Sequence, residues 1–513
     1  MNYFDWSLIG IFLVGLTVIG FLFSNKNKNI EDYFLGGRSM PTWMIVLAAT
    51  GTSISAGTFV GSPQLAFDTN LTYLMLCVGA IIGGLLVAVL ILPTLYKSNT
   101  ITIYGYLGNR FGNVAKTSTS VMFLLGQLLT SGARLFIAAI AVSVILYGTI
   151  EFNFLMYSII ILGIISTIYT MAGGIKGLIY IDTIQMILII IIGIIALLLV
   201  LFAIPDSFGE IIHKLTNAVS TKGEPVNKLL VIDTSFDLTK PYNLIGTLIG
   251  CVVFKFAQFS TDHDFVQRQL ACKSIKKAGF SLVLSQVLSL PVVLIFLGIG
   301  LLLYVAYPVI MPTEIVESIA NDSRDLFPQY ICSNNVPSGL KGLMIIGLLA
   351  AALSSFNSAI NAMSSSMVSD IYLPLKAKMG KKIKTDDQQI KDSKITVLIM
   401  GILLTGFAVV AAIMQEAGGQ NLVDFATGVM SFSYAGMLGV FLCAVFTKRG
   451  NVKSVIGGLL SGCIIVFLLQ PNIMGAWTNT IFGSSFEIAW PWWTLIGGTV
   501  SFVVCCLGKS KKK

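Results

Sequence analysis

The sequence predicts an all-α polytopic membrane protein with about thirteen transmembrane helices. Of its 513 residues, 55% are hydrophobic and only 11% are charged, and the mean hydropathy is +0.86. Soluble domains carry about 25% charged residues, so this composition excludes a soluble enzyme or binding module. The apolar residues fall into runs of about 20, the length that an α-helix needs to cross a bilayer. We therefore expect a single transmembrane domain over residues 1–513.

The apolar runs set the order of the predicted helices. One extra helix at 5–24 precedes a core at about 41–446, and two extra helices follow at about 453–507. The first run follows Asp5 without a basic stretch or a small-residue cleavage site, which favours a retained helix over a signal peptide. The predicted spans are 5–24, 41–65, 71–96, 117–147, 153–172, 180–204, 243–263, 277–307, 337–368, 394–414, 421–446, 453–471 and 488–507.

Lysine and arginine residues are distributed unevenly between alternate loops. One set of loops holds 25 of the 33 basic residues and the other set holds 5, with Arg134, Lys255 and Lys341 in or beside spans. Loops rich in lysine and arginine are usually cytoplasmic. We therefore predict an outside N-terminus and a cytoplasmic C-terminus. The same distribution argues against a nucleic-acid partner, and we expect the chain to work as a monomer in the lipid bilayer. The short tail and lean loops favour a bacterial inner membrane.

Cysteine and histidine residues form no metal-binding pattern. Four of the eight cysteines lie inside apolar runs, where cysteine packs as a small hydrophobic residue. Cys505 and Cys506 end the last span, and packing explains them better than lipidation. His213 and His263 are far apart in the chain. The sequence therefore predicts neither a disulfide framework nor a metal cluster.

The span near 337–368 carries hydroxyl groups on one face. Ser354, Ser355 and Ser358 have the spacing that places their oxygens on one side of a helix. Hydrocarbon offers no partner for a hydroxyl, so such groups face another helix or a cavity. Neutral oxygens beside free backbone carbonyls suit a small hard cation. The alternative is that these serines only join neighbouring helices.

Two other predicted spans contain residues that interrupt helices. The run 49–58 has two glycines and five hydroxyl side chains, and the run 254–264 has Lys255 and Gln258. Interrupted helices in corresponding halves mark transporter sites, because unwound backbone supplies free dipoles. The second interruption comes five spans after the first. This spacing predicts two inverted five-span repeats.

Four stretches of the chain resemble the sodium/solute symporter family, and among its members the bacterial sialic-acid and sugar symporters. They are Asp32–Arg38, Gly173–Gln185, Asp264–Arg268 and the serine-rich span that begins at Gly347. The resemblance extends over nearly the whole length. It implies a leucine-transporter-like 5+5 inverted repeat and sodium-coupled uptake of a small organic solute by alternating access. It also implies that the protein is not an enzyme.

The resemblance implies a main sodium site made of uncharged oxygens. Its ligands would be the backbone carbonyls of Gly51, Ile54 and Ala351 and the hydroxyls of Ser354 and Ser355. Carbonyl ligands need no particular side chain, and both hydroxyls are present. Five neutral oxygens replace a sodium hydration shell without binding the ion too tightly for release.

Some members of the family hold a second sodium ion with an aspartate and additional serines. Asp182 and Ser358 match those positions, whereas Asn357 stands where a serine is expected. Asparagine still supplies an oxygen, so one and two coupling ions both stay open. The alternative for Asp182 is a helix cap or an ion pair with Lys176 or Arg268.

The resemblance also implies a solute pocket at the interrupted helices. Hydroxyl and amide groups would hydrogen-bond the solute, and Phe259 would close the inner side. Cys77 and Lys255 depart from the polar and neutral side chains of sugar carriers. The implied solute contacts are Ser53, Ser55, Thr58, Cys77, Arg134, Lys255, Gln258, Phe259 and Thr427.

Two intramembrane cations indicate the class of solute. A charge at the bilayer centre costs roughly 2.5–3.5 kcal/mol on insertion scales, so it usually has a partner. For Lys255 the partner is Asp262, Asp264 or a solute carboxylate, and Arg134 resembles the carboxylate-binding arginine of sialic-acid carriers. We expect an anionic or zwitterionic solute, such as a sialic acid or carboxylate, with a neutral sugar or polyol as the alternative. A membrane transferase and a transporter-like sensor are distant alternatives, since the sequence shows neither a catalytic cluster nor a signalling domain.

Overall fold

A computed structural model describes residues 1–24, 30–98, 100–219, 225–380, 386–418 and 421–509. Within these ranges the chain is helical apart from connecting loops and a small antiparallel pair of strands, β1 (Ala218–Val219) and β2 (Pro225–Val226). Eight of the described helices are long and apolar enough to cross a membrane, or ten if each of two bent helix pairs forms one span. The prediction of an all-α polytopic membrane protein is confirmed.

The helices follow the order of the apolar runs. Three π-helical segments at Gly57–Gly61, Gly246–Cys251 and Met367–Tyr372 adjoin them. The α-helices are α1 (Tyr3–Ser24), α2 (Ile30–Leu35), α3 (Thr42–Ser53), α4 (Ser62–Asp68), α5 (Leu74–Leu90), α6 (Leu92–Ser98), α7 (Ile103–Phe111), α8 (Asn113–Tyr147), α9 (Phe152–Ala203), α10 (Phe208–Thr216), α11 (Val252–Thr261), α12 (His263–Leu270), α13 (Ile275–Ile310), α14 (Thr313–Asn321), α15 (Leu326–Cys332), α16 (Leu340–Ser366), α17 (Leu373–Lys378), α18 (Asp386–Gly418), α19 (Leu422–Phe446), α20 (Val452–Leu468), α21 (Pro471–Phe482) and α22 (Trp490–Leu507).

Ten of the thirteen predicted spans coincide with a candidate membrane span. The expected spans 5–24 and 153–172 correspond to shorter apolar helices at Tyr3–Ile19 and Phe152–Ile168. The expected span 243–263 is divided between a π-helical segment and the ten-residue α11. Part of the lysine bias, including residues 381–384 and 511–513, lies outside the described residues.

Two helices end abruptly where the sequence predicts interruptions. Helix α3 ends at Ile54, whose backbone is extended (φ −91°, ψ 108°), and the chain resumes helical geometry at Gly57 with a bend of 58°. Helix α11 ends at Asp262, also extended (φ −87°, ψ 115°), before α12 begins. The last carbonyls of a helix have no intrahelical donor, so each break presents polar backbone inside the protein.

Helix α9 contains a third change of direction. Gly174 has φ 58° and ψ −171°, a conformation outside the helical region. A residue with a Cβ rarely adopts this positive φ, whereas glycine does so at little cost. The kink joins the expected spans 153–172 and 180–204, and Asp182 on the second half is fully buried.

Helix α16 lies at the centre of the protein, with 94% of its most apolar window buried. It packs against α9, α8, α3 and α12. Helix α1 contacts the start of α16, because Asp5 Oδ1 accepts hydrogen bonds from the backbone N–H groups of Gly339 (2.8 Å) and Gly342 (3.0 Å). Helices α20 and α22 pack on α19 at the other side.

Candidate functional site

The break of α3 meets the serine face of α16. A Cβ built on Gly51 would lie 3.5 Å from Ser354 Oγ, so backbone and hydroxyl are neighbours. Ser355 Oγ donates a weak hydrogen bond to the carbonyl of Ala351 at 3.4 Å. All four residues are buried, as is Ile54, which is 1% exposed. Ser354 thus lies next to the end of α3 that carries Gly51 and Ile54, and Ser355 and Ala351 contact each other on the same helix α16.

The oxygens at this junction fit a small monovalent cation. Every predicted ligand is a backbone carbonyl or a serine hydroxyl, none of which carries a charge. Hard cations prefer oxygen ligands. Within the described residues, no group of three His, Cys, Asp or Glu side chains is placed to hold a metal.

Asp182 lies directly behind the serine pair. Ser354 Oγ donates its proton to Asp182 Oδ1 at 2.7 Å. The Ser354 hydroxyl therefore uses its proton in this hydrogen bond, and the lone pairs of Ser354 Oγ stay available to a cation. The other oxygen, Asp182 Oδ2, accepts a hydrogen bond from an Arg268 nitrogen at 2.8 Å.

Arg268 is a fully buried cation that joins several elements. It is 1% exposed, and it also donates to Asp264 Oδ1 at 2.8 Å and to the hydroxyl of Ser358. A buried charge needs a partner and further hydrogen bonds to offset its desolvation. Asp182 and Asp264 supply these partners. Of the alternatives that the sequence left open for Asp182, the ion pair with Arg268 is therefore the one observed.

The predicted second-ion residues are only partly assembled. Asp182 and Ser358 both contact Arg268, whereas Asn357 Oδ1 accepts a hydrogen bond from Thr170 at 2.7 Å. The asparagine oxygen is therefore engaged on another side of α16. In this conformation both Asp182 Oδ2 and the Ser358 hydroxyl are engaged by the Arg268 guanidinium.

A cavity of about 60 Å³ lies next to the break of α3. It is bounded by α3, the following π-helical segment, α5, α8, α11, α12 and α19. Seven of the nine predicted solute contacts line it. The lining residues are Ser53, Ser55, Gly57, Thr58, Tyr73, Leu76, Arg134, Lys255, Gln258, Phe265, Val423, Ala426, Thr427 and Met430.

The other two predicted contacts lie just outside the lining. Phe259 packs edge-on against Phe265 with ring centroids 5.3 Å apart, and Phe265 reaches the cavity instead. Cys77 is buried on α5 beside the lining residue Leu76. Prediction missed Phe265, Tyr73 and the apolar side of α19, because apolar residues on helices give no sequence signal that separates a cavity wall from ordinary packing.

Both predicted cations border the cavity. Lys255 Nζ donates to Gln258 Oε1 at 2.9 Å and lies 5.5 Å from the centre of the Phe254 ring. Arg134 contacts the sulfur of Met430 at 3.9 Å, and its other terminal nitrogen has no hydrogen-bond partner among the described residues. Across the described ranges, neither cation forms an ion pair with a carboxylate.

The two aspartates proposed as partners of Lys255 are engaged elsewhere. Asp262 Oδ2 accepts a hydrogen bond from Tyr434 at 2.7 Å, and Asp262 Oδ1 caps α12 at the backbone of Asp264. Asp264 pairs with Arg268. The carboxylates of the second break are therefore hydrogen-bonded within the break, and they interact with Arg134 only at a distance longer than an ion pair.

A larger cleft of about 940 Å³ lies on the side of the loops that precede α11 and α16. Tyr242 borders this cleft and Tyr73 borders the small cavity, and their rings touch edge-on at 5.3 Å. Asp424 holds this contact, because it accepts hydrogen bonds from Tyr242 and from Trp490 (3.0 Å). One ring of the tyrosine pair thus borders each space.

Comparison with known proteins agrees with this geometry. The family model described as the sodium:solute symporter family matches residues 33–463. This chain belongs to the sodium:solute symporter family. It is 27% identical over 476 residues to the sodium/sialic acid symporter SiaT of Proteus mirabilis (strain HI4320), covering 91% of this chain and 89% of that protein.

Two solved structures show the same fold. A sodium-coupled sialic acid symporter, solved in a substrate-bound outward-open state, has a TM-score of 0.80 and 23% identity and covers all of both chains. MhsT in complex with L-phenylalanine has a TM-score of 0.50 and 14% identity, covering 91% of this chain and 98% of that one. The leucine-transporter-like architecture is therefore confirmed.

Family membership settles the class of activity. This symporter is a membrane transporter and not an enzyme, and sodium is its coupling ion. Sodium is thus a transported substrate. The distant alternatives of a membrane transferase and of a transporter-like sensor are not favoured.

Proposed function

We propose that this symporter takes up an anionic or zwitterionic organic solute, such as a sialic acid or another small carboxylate, together with sodium. The observation that carries the proposal is a cavity bordered by Arg134 and Lys255 without a carboxylate partner for either among the described residues. An unpaired charge inside a membrane protein is costly. A solute carboxylate offsets that cost, and the carrier SiaT is a sodium/sialic acid symporter by name.

Polar groups around the two cations suit the rest of such a solute. Ser55, Thr58, Thr427 and Gln258 border the same cavity. Hydroxyl and amide groups hydrogen-bond the hydroxyls or amides of a sugar acid. The cavity of about 60 Å³ is smaller than the 300–1,000 Å³ typical of ligand sites, so solute entry requires the wall formed by Tyr73 to move.

We propose that the carbonyls of Gly51, Ile54 and Ala351 and the hydroxyls of Ser354 and Ser355 hold the coupling sodium ion. The same turn of chain carries Ser53 and Ser55, which border the solute cavity. An ion that fixes the carbonyls at Ile54 therefore also fixes the solute-facing hydroxyls. This shared backbone is the proposed origin of coupling.

The number of sodium ions bears on the driving force. A membrane potential contributes about 2.3 kcal/mol per charge and 100 mV. A monovalent anion entering with one sodium ion moves no net charge and loses this term. A second ion at Asp182, Ser358 and Asn357 would restore it, and we propose that such binding requires Arg268 to leave Asp182.

The proposed topology has thirteen spans, with an outside N-terminus and a cytoplasmic C-terminus in a bacterial inner membrane. The five-plus-five repeat occupies about 41–446, with extra helices at 5–24 and 453–507, and the transporter acts as a monomer. The symmetric breaks and the lysine and arginine bias support this arrangement. Under it, the cleft of about 940 Å³ opens to the outside.

The deciding experiment is binding to the purified protein by calorimetry in sodium chloride and in choline chloride. The panel contains a sialic acid, small carboxylates, amino acids and neutral sugars. We expect sodium-dependent binding of a carboxylate. Preferential binding of an uncharged sugar, with the same affinity for that sugar in a Lys255→Met variant, would instead favour the neutral-sugar alternative. In that alternative the hydroxyl and amide groups alone hold the solute.

A further inference from the structure

Helices α19 and α22 run parallel in very close contact. Ser501 Oγ donates to the carbonyl of Gly436 at 2.8 Å. A Cβ on Gly439 would collide with Ser501 and the backbone of Phe502, and a Cβ on Gly498 would lie 2.9 Å from the side chain of Leu438. These contacts fix the register of the two helices.

The same register brings thiols together one turn further on. Cys443 follows Gly439 by four residues, and Cys505 follows Ser501 by four residues, so both point into the interface. The Cys443 thiol is therefore close enough to those of Cys505 and Cys506 to interact with them. Cys443 and Cys505 are fully buried, and Cys506 is half-buried.

The surroundings of this thiol cluster favour reaction. Arg110 donates to the carbonyl of Thr447, whose hydroxyl lies 3.4 Å from Cys443 Sγ. A nearby guanidinium stabilises a thiolate, which is the reactive form of cysteine. The cluster lies near the C-terminal ends of both helices, where the backbone N–H of Gly450 donates to the carbonyl of Gly508 at 2.8 Å, and Cys506 is its partly exposed member.

We propose that Cys443 and Cys505 form an oxidation-sensitive pair that hydrogen peroxide converts to a disulfide. The Cys443 thiol and one peroxide molecule give a sulfenic acid and water. The Cys505 thiol then attacks that sulfur, which forms the S–S bond and releases a second water. Two thiols lose two hydrogens, and the peroxide is reduced to two waters.

The disulfide would tie the transport core to an extra helix. Helix α19 also carries Thr427 and Met430 at the solute cavity and Tyr434, which binds Asp262 at the second break. Its movement during alternating access, which rests on the proposed function, would be restricted by a covalent bond to α22. On the predicted topology the pair lies on the cytoplasmic side, where disulfides act as reversible redox sensors rather than structural links.

The chemical part is tested on purified protein treated with hydrogen peroxide and then mapped by peptide mass spectrometry. We expect a cross-linked peptide pair about 2 Da lighter than the two thiols, reversed by dithiothreitol. It should persist in Cys506→Ser and in the control Cys463→Ser, and it should be lost in Cys443→Ser and in Cys505→Ser. A protein that keeps both thiols free, or a cross-link lost only in Cys506→Ser, overturns the pairing.

The functional part is tested in proteoliposomes loaded with the solute that the binding panel identifies. Oxidised wild-type protein should lose uptake and recover it with dithiothreitol, whereas oxidised Cys505→Ser should retain uptake. Equal loss in both proteins, or full uptake by the cross-linked wild type, overturns the switch. Absence of sodium-driven uptake in the reduced protein would instead count against the proposed function, and the mass measurement would still decide the disulfide.

Discussion

Ile54 and Asp262 interrupt their helices with nearly the same backbone angles. Ile54 has φ −91° and ψ 108°, and Asp262 has φ −87° and ψ 115°. Each residue follows an α-helix and precedes a second helical segment. The two breaks therefore look like equivalent points of two repeats. Their surroundings differ, because the Ile54 break meets neutral serines of α16 whereas Asp262 is held by Tyr434.

The first prediction concerns the serines of α16. Ser354→Ala or Ser355→Ala removes one oxygen ligand of the proposed sodium site without changing the volume of the helix. We expect the sodium concentration for half-maximal uptake to rise about tenfold, which corresponds to 1.4 kcal/mol. Uptake measured against sodium concentration provides the test, with Ser433→Ala on α19 as a control. Unchanged sodium dependence in both variants would remove the site assignment.

Asp182 provides a second prediction. In Asp182→Asn the acceptor for the Ser354 hydroxyl is weakened and Arg268 loses one of two carboxylates. We expect weaker sodium binding together with a lower melting temperature, since breaking a buried pair costs about 3–5 kcal/mol. Calorimetric sodium titration and thermal unfolding measure the two effects. The control is Asp32→Asn, which breaks a partly exposed ion pair with Lys176. If Asp182→Asn and Asp32→Asn both bind sodium like the wild type, Asp182 has no part in the ion site.

The cations of the cavity provide a third prediction. Lys255→Met and Arg134→Met remove the charges and keep most of the volume. We expect each to weaken binding of an anionic solute at least tenfold, or about 1.4 kcal/mol, while sodium binding and melting temperature change little. Solute binding by calorimetry is the measurement, and Lys341→Met, outside the cavity, is the control. Wild-type affinity in Lys255→Met would show that Lys255 is structural.

A fourth prediction concerns pH and a loop outside the spans. Lys228 is buried and donates to the carbonyls of Phe67 and Thr69, and its ammonium faces the Tyr304 ring at 4.3 Å. Burial lowers the pKa of Lys228 to about 8, with the charge of Asp68 acting in the opposite direction. The unfolded chain, in which lysine titrates near 10.4, therefore binds more protons between pH 8 and 10.4.

Stability should accordingly rise with pH across that window, because the free energy of unfolding increases where the unfolded state binds more protons. The measurement is the melting temperature of the wild type and of Lys228→Met between pH 7 and 10. We expect the wild type to gain stability relative to the variant as the pH rises. Parallel curves for the two proteins would contradict the buried, protonation-sensitive lysine.

Much of the candidate site was accessible from the sequence because its ligands sit on broken helices. The breaks at 49–58 and 254–264 were visible as glycines, hydroxyls and a charge inside apolar runs, and both are observed. Seven of the nine predicted solute contacts line one cavity. Phe259 was expected to close the pocket, yet Phe265 faces it, since the break at Asp262 redirects the chain between them.

Local pattern by itself determined the membrane class, the helix order and the two interruptions, because these depend on the hydrophobicity and backbone preferences of neighbouring residues. Family resemblance, also readable in the sequence, pointed to sodium coupling. Only the tertiary structure decided how the charges pair. Asp182 forms an ion pair with Arg268, Asp262 accepts a hydrogen bond from Tyr434, and Lys255 donates a hydrogen bond to Gln258. Gln258 lies one turn from Lys255 on the same helix, whereas Arg268 and Tyr434 reach their aspartates from helices far away in the chain. Spacing along one helix carries no information about which side chain arrives from another.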